Sequence, residues 1–140
     1  MPHAEPLKIL IVDDEPLARA RLRELLTDIS VQFSSEVAGE AGNGIAGLEF
    51  LRDHPVDVVL ADIRMPGMDG IEMAGHLGAM EKPPAVIFTT AYDNYAVQAF
   101  DLNAVDYLLK PVRAQRLLTA LQKAAATVHP HGIRKARHLL

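Results

Sequence analysis

Cysteine is absent from the 140 residues. Its absence excludes disulfides, thiol nucleophiles and thiolate metal sites, none of which a protein of the reducing cytosol needs. No apolar run approaches the roughly 18 residues that a membrane-spanning helix requires. The opening "MPHAEPLK" has no basic segment followed by an apolar one, so it does not read as a secretory signal. Together these absences predict a cytoplasmic protein with no membrane segment. Acids are missing from the closing stretch "HPHGIRKARHLL" (129–140), which holds Arg134, Lys135 and Arg137. All 18 acids therefore lie in residues 1–128, and that body is more acidic than the overall net charge of −4 suggests. An acidic body argues against wrapping nucleic acid. The basic tail is too short for a DNA-binding module and reads as a solvated linker.

Hydrophobic residues make up 49% of the chain and charged residues 23%, with a mean hydropathy of +0.09. These values describe one soluble globular domain with a core of its own. The expected division is a domain over 1–128 and a linker over 129–140, where "HPHG" breaks the last helix. Four continuous apolar runs read as strands buried on both faces: "LKILIV" (7–12), "VDVVLA" (56–61), "AVIFTT" (85–90) and "AVDYLL" (104–109). "SEVAGEA" (35–41) is a weaker fifth. Helical patterns fill 15–28, 44–53, 69–80, 93–102 and 112–128. In the first, Leu17, Leu22, Leu25, Leu26 and Ile29 fall near one face, and Arg19, Arg21, Arg23 and Glu24 largely opposite. Pro16 suits a helix start, where its missing N–H costs nothing. The third is interrupted by Gly75 and Gly78, each worth about 1 kcal/mol against a helix. Strict alternation of strand and helix predicts an α/β domain, a parallel sheet covered by helices on both faces.

Ligands of open parallel sheets bind beyond the carboxyl ends of the strands. There the chain carries Asp13 and Asp14 after strand one, Asp62 after strand three, Thr89 and Thr90 at the end of strand four, and Lys110 after strand five. Three clustered carboxylates are tolerable when a cation joins them, and oxygen donors without Cys or His suit Mg²⁺. Lys110 adds a positive charge and a threonine adds a hydroxyl, which together make a clamp for a transferring phosphoryl group. One carboxylate is then free to act as nucleophile and form an aspartyl phosphate.

"ILIVDDE", "LADIRMPGMDG", "FTTAYDNYAVQAF" and "AVDYLLKPV", in this order and spacing, resemble a two-component response-regulator receiver domain over residues 7–127. The stretch from "PPAVIFTTAYDNYAVQAF" to "NAVDYLLKPV" resembles the AlgR/LytR (LytTR) subfamily in particular. The resemblance implies a flavodoxin-like, doubly wound five-stranded sheet in the order 2-1-3-4-5 with five helices. It implies that Asp62 is the phosphoacceptor, that Asp14 is a direct Mg²⁺ ligand, and that Asp13 acts mainly through water. Arg64 stands where the family uses a backbone carbonyl as a ligand. Thr90, not Thr89, matches the switch hydroxyl, and Tyr107 the aromatic switch residue. Lys110 matches the phosphate-contacting lysine, and its bond to Pro111 is expected to be cis, as only proline readily allows. The implied partners are a sensor histidine kinase and a second copy, a homodimer through the face of the fourth helix, fifth strand and fifth helix. DNA would be reached only through an output domain that this chain does not include.

Simpler readings compete residue by residue. Asp13 or Asp14 alone would serve as a helix cap, Asp62 alone as a turn residue, and Tyr107 alone as a half-buried strand aromatic. Asp69–Gly70 reads as turn and helix start, and Asp57, near the start of strand three, has no assigned role. "AGEAGNG" lacks the Gly-Lys-Ser/Thr of a phosphate loop, and the six histidines show no metal-ligand spacing. A haloacid-dehalogenase-type phosphatase would need Asp-x-Asp after strand one, where the chain has "VDDEPL". A flavin-binding module would need a Ser/Thr/Gly-rich loop there. The expectation is a phosphoryl-accepting signalling domain, not a turnover enzyme.

Overall fold

The computed structural model describes residues 5–92 and 103–128. The expected helix over 93–102 and the linker over 129–140 lie outside the described residues. The order of elements is β1 (Leu7–Val12), α1 (Pro16–Asp28), β2 (Ser35–Ala41), α2 (Gly44–Asp53), β3 (Val58–Asp62), α3 (Gly70–Leu77), β4 (Ala85–Thr90), β5 (Asp106–Leu109) and α4 (Ala114–Val128). The strands form one parallel sheet in the order β2-β1-β3-β4-β5. This is the flavodoxin-like, doubly wound arrangement.

The apolar runs are continuous because successive side chains of a strand point to opposite faces and helices cover both. Ile9, Ile11, Leu60 and Ile87 pack on one face with Leu22 and Leu25 of α1 and Leu117 and Leu121 of α4. Leu10, Val12, Val59 and Phe88 pack on the other with Leu51 of α2 and Met73 and Leu77 of α3. Each fully buried side chain of this size stabilises the fold by about 1.5–3 kcal/mol. β2 is an edge strand, mostly half-buried, with a register shift against β1 between Ile9 and Leu10. That partial exposure explains its weak apolar signature.

The structure departs from expectation at two helices. Leu17 is 85% exposed. At 100° per residue it stands about 130° around α1 from the centre of the stripe made by Leu22, Leu25, Leu26 and Ile29. α3 stops at Leu77 with Gly78 as its C-cap, three residues before the expected end. The low helix propensity of Gly75 and Gly78 accounts for this. Asp57 acquires a structural role just ahead of β3. Its N–H donates to the Lys8 carbonyl (2.9 Å) and its carboxylate accepts from the Lys8 N–H (2.8 Å). Its own carbonyl accepts from Ala85 (2.9 Å), so one residue ties β1, β3 and β4 at their starts.

The edge strand β5 is fastened to α4 by Asp106. This buried carboxylate takes two hydrogen bonds from Arg116 (3.0 and 2.8 Å) and one from Lys123 (3.0 Å). Burial alone would raise its pKa, but Arg116, the Tyr107 N–H and Lys123 outweigh that and bring it down to about 2. An acid depressed in the fold stabilises it above the unfolded pKa of about 3.9 and loses that contribution as pH falls through the folded value. Asp106→Asn is therefore expected to lower stability at neutral pH by about 1–2 kcal/mol, allowing for solvent screening of the two half-exposed cations. Urea midpoints of wild type and variant should converge between pH 4 and pH 2; a gap that persists at pH 2 would contradict this account.

Candidate functional site

The order of strands reverses between β1 and β3, and their carboxyl ends open the crevice in which such sheets bind ligands. Asp13 and Asp14 follow β1, and Asp62 is the last residue of β3. One carboxylate oxygen from each lies within 4.8 Å of the others. Asp13 is completely buried and Asp62 nearly so, whereas Asp14 is exposed. Lys110, just past β5, reaches back across the sheet. Its Nζ donates to Asp13 Oδ2 (2.9 Å) and Asp62 Oδ2 (3.3 Å), and stands 3.9 Å from Glu15 Oε1.

The charges of this group are mutually adjusted. Burial pushes the Asp62 carboxyl up, Lys110 pulls it down and Asp13 pushes it up again, and the net direction is upward. Burial works against the Lys110 ammonium, but its bond to Asp13 and the charges of Asp62 and Asp13 outweigh that and raise its pKa. One ammonium thus faces three carboxylates, and the excess negative charge leaves room for a hard cation with oxygen ligands. The donor set fits Mg²⁺: carboxylates at close range, one of them solvent-facing, with no sulfur and no imidazole among them.

Local structure places each group. Asp13 Oδ1 accepts from the Glu15 N–H (2.9 Å), a tight turn that starts α1 with Glu15 as N-cap and Pro16 in the first turn. The Glu15 side chain caps nothing, so the helix-cap reading falls in part to Asp13 and not to Asp14. After β3 the chain turns through Gly67, whose φ of +74° suits glycine. Asp69 then caps α3 in a capping box with Glu72 (Asp69 Oδ1 to the Glu72 N–H, 2.8 Å). A Cβ on Gly70 would stand 2.3 Å from the Asp62 carbonyl oxygen, so only glycine lets α3 begin against the main chain of Asp62. Its N–H donates to the Ile63 carbonyl (2.8 Å).

Thr90 and Tyr107 meet through one residue. Thr90 Oγ1 accepts from the Tyr92 N–H (3.2 Å), and the Tyr107 hydroxyl donates to the Tyr92 carbonyl. Arg64 lies on the exposed loop after β3, with its guanidinium 4.8 Å from the centre of the Tyr92 ring. The Lys110–Pro111 peptide is cis. Thr89 sits opposite Asp62 in the β3–β4 register. Its hydroxyl is buried without a hydrogen-bond partner among the described residues.

Two features were not legible beforehand. Arg19, placed by periodicity on a solvated face, donates instead to the main-chain carbonyl of Asp13 (2.6 Å). Gly70 abuts Asp62 itself. Neither shows in the periodicity, since each contact runs from a helix back to the main chain at the end of the strand before it.

A family model described as the response regulator receiver domain matches residues 9–122. The positive alginate biosynthesis regulatory protein of Pseudomonas aeruginosa is 48% identical over 119 residues, which are 85% of this chain and 47% of that protein. The transcriptional regulatory protein LytR of Staphylococcus aureus is 45% identical over 121 residues, 86% of this chain and 48% of the relative. The chain thus spans about half the length of these relatives. Among solved structures, the response regulatory domain of protein mrkE from Klebsiella pneumoniae is similar at a TM-score of 0.79 and 35% identity. That likeness covers 89% of this chain and 99% of the other.

The orphaned hydroxyl beneath the site gives a test of the geometry. A buried hydroxyl without a partner costs about 1–3 kcal/mol, and an apolar group of the same shape removes that cost. Thr89→Val is expected to raise stability by about 1 kcal/mol, read as a higher urea midpoint at unchanged slope. A lower midpoint would mean that the hydroxyl is bonded after all.

Proposed function

The chain belongs to the response regulator receiver domain family, and on that premise we propose that it accepts a phosphoryl group on Asp62 from a sensor histidine kinase, with Mg²⁺ as cofactor. The observation that carries this reading is the convergence of Asp13, Asp14 and Asp62, with the Lys110 ammonium bonded to the two buried ones. Asp14 and Asp62, with the main-chain carbonyl of Arg64, would hold the ion, and Asp13 would act mainly through water. When bound, Mg²⁺ supplies positive charge against which phosphoryl oxygens and carboxylates can approach one another.

The remaining chemistry belongs to the chain's own residues. An Asp62 carboxylate oxygen attacks the phosphorus, a P–O bond forms, and the P–N bond to the kinase histidine breaks, leaving the imidazole with the electron pair. Lys110, within 3.3 Å of that carboxylate, pairs with the incoming phosphoryl oxygens while keeping its bond to Asp13. The Thr90 hydroxyl turns to donate to the phosphoryl group and gives up its contact with the Tyr92 N–H. Because Tyr107 is bonded to the same residue, this movement alters its restraint and lets the ring turn inward. A charge event at Asp62 is thereby converted into a new surface on β5, α4 and the expected helix over 93–102.

That face would support a homodimer. The chain would be the receiver part of a cytoplasmic transcription regulator, with residues 1–128 as the domain, 129–140 as a basic linker, and DNA contacted only by an output domain beyond it. The relatives' greater length supports this arrangement. No helix among the described residues is long and apolar enough to cross a membrane.

Incubation with Mg²⁺ and acetyl phosphate is expected to add the mass of one phosphoryl group to wild type and none to Asp62→Asn. Equal labelling of the two, or none of either, overturns the assignment of Asp62. Mg²⁺ at saturation should also stabilise the unphosphorylated protein by about 1–3 kcal/mol, because it binds the assembled carboxylates and not the unfolded chain. A thermal midpoint unmoved by millimolar Mg²⁺ would contradict the metal site.

A further inference from the structure

The carbonyl of Asp13 stands one residue past the end of β1, where a peptide group would ordinarily turn to water. Here both main-chain groups of Asp13 are held. The Asp13 N–H donates to the Ala41 carbonyl (3.0 Å) and the Asp13 carbonyl accepts from Arg19 Nη1 (2.6 Å). Arg19 does not reach this position unaided. Its Nε donates to Glu40 Oε1 (2.7 Å), and Arg23 Nε binds the other oxygen of the same carboxylate. Glu40 is the penultimate residue of the edge strand β2. Its carboxyl lies below the ordinary glutamate range, first through the Arg23 bond, against the opposing effect of burial, and then through Arg19.

We propose that Arg19 is a positioning residue for the acidic site: by holding the Asp13 carbonyl it fixes the Asp13–Asp14 peptide, which keeps the Asp13 carboxylate on Lys110 and the Asp14 carboxylate within the metal cluster. The peptide unit is planar, so a fixed carbonyl also fixes the N–H of Asp14 and the direction in which the chain leaves it. Asp13 then makes four hydrogen bonds at once, to Ala41 and Arg19 by its main chain and to Glu15 and Lys110 by its carboxylate. The Asp13 carboxylate is thereby held between Glu15 and Lys110, whereas the Asp14 carboxylate faces solvent. Arg19 and Glu40 thereby divide the labour between two neighbouring acids of identical chemistry. An ion pair on the surface would not suffice for this, because such pairs contribute little. The Arg19 side chain is only 20% exposed, and the main-chain bond gives it a single geometry.

The inference rests on the reading of Asp13, Asp14 and Asp62 as an Mg²⁺ site, and the test separates the two. Wild type, Arg19→Met, Arg19→Lys and Glu40→Gln are titrated with Mg²⁺ by calorimetry. Hydrogen exchange of the Glu15 amide is followed by NMR in metal-free buffer, and urea midpoints record overall stability. Arg19→Met is expected to weaken Mg²⁺ about tenfold or more, as loss of a residue supporting metal ligands does, and to speed exchange at Glu15. Arg19→Lys should recover part of both losses, since an ammonium can donate to the carbonyl without reproducing the fork to Glu40. Glu40→Gln should fall between wild type and Arg19→Met. If Arg19→Met binds Mg²⁺ as wild type does, the positioning role is overturned while the site reading stands. If Arg19→Lys is no better than Arg19→Met and both lose the same stability, Arg19 is a structural clamp only and the proposal fails. If wild type does not bind Mg²⁺, the site reading fails and this inference with it.

Discussion

Among the described residues Lys110 is the only cation that touches both buried acids of the site, and the site depends on it. Its ammonium spans from the end of β5 across β4 to Asp62 on β3 and Asp13 beyond β1. Without it, two carboxylates with almost no exposure to solvent would face each other with no compensating charge, an arrangement far more costly than an exposed pair. The long apolar stem makes this reach possible while the charged head stays partly hydrated. Because the ammonium is shared among acids from two strands, it also records their relative position. A displacement of β1, β3 or β5 is felt at one point. The same charge that makes the resting site tolerable is suited to pair with phosphoryl oxygens, so stability and the proposed chemistry draw on one interaction.

The fold serves that point by delivering strand ends to one edge and bracing them from below. Two apolar layers hold the sheet, and Asp57 and Asp106 fasten its other end and its far edge through paired hydrogen bonds. Gly70 lets α3 begin in contact with the Asp62 main chain, while Asp69 and Glu72 cap that helix without entering the site. Around the acids, main-chain contacts set the geometry: Ala41 and Arg19 hold Asp13, and Tyr92 holds Thr90 and Tyr107. The last arrangement joins the Thr90 hydroxyl to an aromatic ring on the edge strand through a single residue. A path of that kind is short enough to carry a small local rearrangement from one group to the other.

Much of this was readable in advance. Uninterrupted runs such as "KILIV" and "AVIFTT" are buried on both faces, and that composition distinguishes them from half-exposed strands. The acids and the lysine directly follow such runs and the threonines end one, so their meeting at one edge follows from the parallel topology. The weak signal of β2 reflects its edge position, and the early end of α3 follows from two glycines whose cost had been noted. Leu17 is apolar but lies at an angle on α1 that does not reach the buried face, so composition alone misleads there. Thr89 and Thr90 are chemically alike in sequence, and the pleat of β4 separates them, one orphaned in the interior and the other bonded to Tyr92.

Local periodicity, and the points at which polar residues interrupt apolar ones, are enough to specify the alternation of elements, the two-sided burial of the sheet and the set of groups at its carboxyl edge. Tertiary structure alone decided how those groups divide their roles. Asp13 and Asp14 are adjacent and identical, and only contacts from β2, α1 and Lys110 bury one and leave the other exposed. Arg19 reads as a solvated residue until Glu40, on another element, bends it toward a carbonyl. The reason is physical: orientation of a charged group depends on partners brought within 3 Å by folding, and distance along the chain carries no record of them.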